Sequence, residues 1–124
     1  MKSYVFAVLA LLSLPLFASD WTAQAQHDMG TPSGKQYEMV AAKYAASVLG
    51  QVMGTCVRSS LPSTFQLYLK LDAGGTVVAS SVSPASPVAD CFAGELSKLI
   101  WPKPPFAPFA YTMEMFGNEA GLEP

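Results

Sequence analysis

Apolar residues recur along this chain with two different periods. From Gly34 to Met53, Tyr37, Val40, Tyr44, Val48 and Val52 return at steps of three and four, with Ala41, Ala45 and Leu49 beside them, while Lys35, Glu38, Lys43, Ser47 and Gln51 fall elsewhere. That spacing predicts an amphipathic helix, with Gly54 as its stop. From Phe65 the step becomes two: Phe65, Leu67, Leu69 and Leu71 alternate with Gln66, Tyr68, Lys70 and Asp72, the pattern of a strand with one buried face. Asp72-Ala73-Gly74-Gly75 supplies turn residues, and Thr76 to Val82 is β-branched enough to return as a hairpin partner.

After the turn Ser83-Pro84-Ala85-Ser86-Pro87, Ser86 is placed to cap a second helix and Pro87 to occupy its first position, where the missing N–H costs nothing. This helix is expected to run to about Ile100, burying Val88, Cys91, Phe92, Leu96, Leu99 and Ile100. Pro102, Pro104 and Pro105 then end it and hold the chain extended. A last strand follows from Pro108 to Phe116, in which Phe109, Tyr111, Met113 and Met115 alternate with Ala110, Thr112 and Glu114. The order α-β-β-α-β predicts an α+β domain: two helices packed on a three-stranded antiparallel sheet.

The N-terminal pattern is of another kind. Met1 and Lys2 give a positive start, and Tyr4 to Ala18 is apolar except for Ser13 and Pro15. A spanning helix needs about 20 apolar residues, so this run reads as a secretory signal peptide. Ala23-Gln24-Ala25 has the small-x-small form of a cleavage site, which predicts a cut after Ala25. A cut near Ala18 or Ser19 and an uncut anchor are the alternatives, and no cysteine sits where a lipid anchor needs one. The expected organisation is residues 1–25 as signal, 26–33 as a mobile leader, 34–116 as the folded domain and 117–124 as a flexible tail, exported to the periplasm with no membrane span after cleavage.

What remains after such a cut is one small domain with little burial to spare. Its two cysteines, Cys56 and Cys91, fall in an oxidising compartment and are read as a structural disulfide. The loop of about 35 residues corresponds to roughly 3 to 4 kcal/mol in the chain-entropy model. Metal and redox roles lack support: there is no Cys-x-x-Cys, and His27, the single histidine, is read as a solvated leader residue. No metal or other cofactor is expected.

Charge narrows the partners further. The net charge is −2 and the basic residues are scattered, which argues against nucleic acid. Gly74-Gly75 lacks the Lys-Ser/Thr context of a phosphate loop. Asp90 and Glu95, five positions apart on a helix, do not face the same way and make no acid/base pair. No enzymatic activity is expected.

The order of elements, with Phe65 to Val82, Pro87-Val88-Ala89-Asp90-Cys91 and Leu99-Ile100-Trp101-Pro102-Lys103-Pro104-Pro105, resembles the C-terminal domains of the TonB/TolA family, and TolA most. The resemblance spans most of Tyr37 to Phe116. It implies a cysteine early in the second helix joined to one ahead of the first strand, although the spacer after Cys56 is longer here, so the bond is expected to tie the end of the first helix. It also implies a protein partner that lays a strand beside the last strand, here Ala110, Tyr111, Thr112, Met113, Glu114 and Met115, with the methionines adapting to it. A leader reaching at most about 28 Å, at ~3.5 Å per residue, is too short for the family's force transmission. The function implied is a stand-alone periplasmic binding module of the cell envelope. A periplasmic inhibitor or immunity protein acting on a toxin or hydrolase is the alternative.

Overall fold

The computed structural model describes residues 17–57 and 64–117, with side chains from Trp21 onward. The elements are α1 (Phe17–Gly30), α2 (Pro32–Cys56), β1 (Phe65–Leu71), β2 (Val77–Ser83), α3 (Pro87–Ser97) and β3 (Phe109–Met115). From α2 onward the order is α-β-β-α-β. The strands form one antiparallel sheet in the order β2-β1-β3, so among the described residues β1 is central and both other strands are edges. The apolar run from Tyr4 to Ala18 lies almost wholly outside the described residues, as does the tail from residue 118. Among the described residues no helix is long and apolar enough to cross a membrane.

One face of the sheet carries the core. Phe65, Leu67, Leu69 and Leu71 of β1 are buried, as the alternation predicts, and they share that face with Phe109 and Tyr111 of β3. α2 and α3 supply the facing layer. The apolar stripe of α2 runs through Tyr37, Ala41, Tyr44, Ala45, Val48 and Val52, and Val40, expected in it, is half-exposed on the wet side. Ala89, Phe92 and Leu96 are the buried residues of α3. This helix ends at Ser97, short of Ile100, which is exposed and forms a bridge to Thr76 instead.

Local chemistry accounts for the ends. Ser86 accepts the N–H of Ala89 at 3.0 Å, with Pro87 opening α3. Trp101 is buried, donates its indole N–H to Leu96 O at 3.1 Å and its backbone N–H to Gly75 O at 2.9 Å. Gly75 has φ 90°, and a Cβ there would collide with the Trp101 carbonyl, so both the turn and the close approach require glycine. The Cys56–Cys91 disulfide joins the last residue of α2 to α3, with Cα atoms 5.7 Å apart. It ties the end of the helix, as the long spacer implies.

The largest departure from the sequence reading is α1. Residues 26–33, expected as a mobile leader, form the C-terminal end of one helix and the start of the next, separated only at Thr31. The Thr31 hydroxyl donates to the Asp28 carbonyl at 2.9 Å and accepts the N–H of Gly34 at 2.9 Å, closing α1 and capping α2 together. A Cβ on Gly34 would collide with the Asp28 carbonyl, which is why the junction is this tight. Leader polarity misled because α1 buries a narrow stripe: Ala25 and Asp28 are nearly inaccessible, Trp21, Thr22 and Met29 half so, while Ala23, Gln24, Gln26 and His27 are exposed.

Candidate protein-binding edge

β3 pairs with β1 from Phe65↔Met115 to Leu71↔Phe109 without a bulge, and among the described residues its other side faces no strand. The direction of its backbone groups is set by a single bond: the Ala110 N–H donates to Asp28 Oδ2 at 2.9 Å, away from β1. In an antiparallel ladder that direction alternates. Ala110, Thr112 and Glu114 therefore aim their N–H and C=O groups outward, and Phe109, Tyr111, Met113 and Met115 aim theirs at β1.

The expected site residues thus separate. Thr112 and Glu114 present backbone groups at the edge. Ala110 points outward too, but its N–H is taken by Asp28 and the residue is 3% exposed. Tyr111 is buried in the core, and Met113 and Met115 are partly buried against it, so neither methionine stands out from the edge. Side chains brace the middle of the strand: the Thr112 hydroxyl donates to Leu67 O at 3.0 Å and lies 3.2 Å from the Gln66 amide nitrogen, which donates to it.

α1 closes one end of this edge. Its Asp28 is 1% exposed, and the carboxylate meets three donors, with Oδ1 3.0 Å from both Gln24 Nε2 and His27 Nδ1. Burying a carboxylate is tolerable only with such partners. His27, expected in a solvated leader, is exposed but sits on α1 and braces Asp28. Further up the helix, Trp21 lies 6.3 Å from Tyr68 ring to ring, Thr22 Oγ1 is 3.3 Å from the Tyr68 hydroxyl, and Lys70 Nζ stands 5.4 Å from the centre of the Trp21 ring. Sequence reasoning missed Asp28, Trp21 and Lys70 as parts of the edge. The spacing of Trp21, Ala25 and Asp28 at i, i+4 and i+7 was the available signal.

The tyrosine stripe of α2 packs into the core. Tyr37 packs edge-on against Phe109 at 4.9 Å and donates its hydroxyl to Pro102 O at 2.6 Å. Burial, then the neighbouring Tyr111, pushes the Tyr37 phenol up to about 12. Burial, then Glu38, does the same to Tyr111. Among the described residues no three His, Cys, Asp or Glu side chains converge as metal ligands do. Asp90 is exposed, and Glu95 pairs with Lys98 at 3.2 Å. No protein-family model, curated protein or solved structure matches the chain.

Proposed function

We propose that this protein is an exported periplasmic binding module, similar to the C-terminal domains of the TonB/TolA family, that takes up a strand of a partner protein along the outer edge of β3 and performs no catalytic step. The observation that carries the reading is the open backbone at Thr112 and Glu114 on a strand whose other side is fully paired. Edges are normally protected by charge, proline or a covering element. Here α1 covers the Ala110 end and leaves the Thr112–Glu114 stretch with Glu114 as its single charge.

Export is part of the proposal. Of the two cleavage positions, the earlier, near Ala18, suits the packing better. A cut after Ala25 removes Trp21 and Thr22 with their contacts to Tyr68 and Lys70, and leaves five residues of α1 to hold Asp28. So short a helix is marginal on its own. Intact mass of periplasmic material decides it: a start at Ser19 or Asp20 is expected, and a start at Gln26 returns the site to Ala25.

The test of the binding function is a pull-down from periplasmic extract with mass spectrometry, run in parallel with Thr112→Pro. Envelope-spanning or outer-membrane transport components recovered by the wild type and lost by the variant support the reading. A single toxin or hydrolase, retained by the variant, supports the inhibitor alternative.

A further inference from the structure

Where the open edge stops, a cavity begins. It has a volume of about 290 Å³ and is lined by Ala110, Asp28, Gln24 and His27 with Lys70 and Phe106. Ligand pockets for whole small molecules start at roughly 300 Å³, so this one has room for the end of a chain rather than a larger body. Its charges are unequal in availability. Asp28 is buried and satisfied by three donors. Lys70 has no carboxylate within ion-pair distance among the described residues, and its ammonium is held in place by the Trp21 ring. The cavity therefore offers a positioned cation that makes no ion pair among the described residues, beside a carboxylate already engaged by other donors.

The strand direction says what arrives there. β3 runs from Phe109 to Met115, so a strand added antiparallel to it travels toward Ala110 and meets α1. It cannot continue along the edge, because Asp28 holds the next outward N–H. A parallel strand would bring its amino end to Lys70, where the charges repel, and parallel pairing is the weaker geometry. We infer that the β3 edge captures the C-terminal end of a partner chain: its last residues pair antiparallel with Glu114 and Thr112, and its free carboxylate enters the cavity to meet Lys70. Recognition of a chain end by a charged group beside a strand-pairing edge gives direction and register as well as affinity.

This rests on the edge reading above and is tested so that the two can fail separately. Short random peptides displayed with free C-termini are selected on the purified chain beginning at Ser19, which retains Trp21 and Gln24, and enriched sequences are synthesised as free acids and as C-terminal amides. The acid is expected to bind about tenfold tighter, 1.4 kcal/mol, and to slow exchange of the Thr112 and Glu114 amides. Lys70→Gln should remove the difference between acid and amide, and Lys70→Arg should keep it. Equal binding of acid and amide, still abolished by Thr112→Pro, overturns chain-end capture and leaves the edge intact. Binding indifferent to Thr112→Pro overturns both, and selection that enriches no sequence overturns chain-end capture.

Discussion

The side chain of Asp28 accepts the backbone N–H of Ala110, 82 residues further along the chain, at 2.9 Å in a buried setting. Through that one bond a helix end replaces a neighbouring strand, terminates the free edge of the sheet and fixes which β3 residues face outward. Most of what the molecule is proposed to do follows from it.

Replacing Asp28 with Ala removes a charge-assisted acceptor and strands a buried donor. A cost of about 2 kcal/mol is expected, with Asp28→Asn milder because an amide oxygen still accepts. Urea titration measures the stability, and hydrogen exchange reads the Ala110 amide directly. An Ala110 amide as protected in the alanine variant as in the wild type would show that α1 does not close the edge.

Proline substitution along β3 should alternate in effect. Thr112 aims its N–H outward, so Thr112→Pro is expected to weaken partner binding at least tenfold while costing stability about 1 kcal/mol for the lost hydroxyl bonds. Met113 pairs with Leu67 and aims its N–H at β1, so Met113→Pro should instead lower the melting temperature sharply. Equal loss of stability in both variants would contradict the register.

Alkaline pH should destabilise the fold before it affects the surface. Tyr37 and Tyr111 titrate at about 12 when folded against the ordinary 10 when unfolded, so between these values the native state binds more protons. Stability is therefore full below pH 10 and falls as pH rises through 12. Melting temperatures from pH 8 to 11.5 should show the fall, and Tyr111→Phe should reduce it. A flat profile in the wild type would place these phenols in water.

Replacing both Cys56 and Cys91 with Ser should cost roughly 3 to 4 kcal/mol, since the bond closes a 35-residue separation. It joins α2 to α3, away from β3, so partner binding measured well below the melting temperature should persist. Loss of binding in a variant that remains folded by circular dichroism would give the disulfide a second role.

How far the sequence carried can be traced residue by residue. Alternation set the inward face of β1, because a sheet with one buried side must alternate, and Ser86-Pro87 set the start of α3, because capping depends on the next few residues alone. Helix periodicity places α2 but not Val40, which the three- and four-residue spacing puts in the apolar stripe and the packing leaves half-exposed, with Ala41 and Ala45 buried against the sheet. Ile100 fits the periodic face of a helix by its apolarity, whereas the helix ends at Ser97 and the chain turns so that Trp101 fills the core.

The sequence by itself determined the α-β-β-α-β order from α2 onward, the buried face of β1 and the cysteines able to join, because these depend on period, local caps and composition. Only the tertiary structure decided that β3 is an edge, that its outward groups are those of Thr112 and Glu114, and that α1 closes it at Ala110. Strand neighbours are chosen by which faces pack together across long separations. α1 is held to the sheet by contacts such as that of the carboxylate at position 28 with the backbone donor at position 110, and no local window contains both.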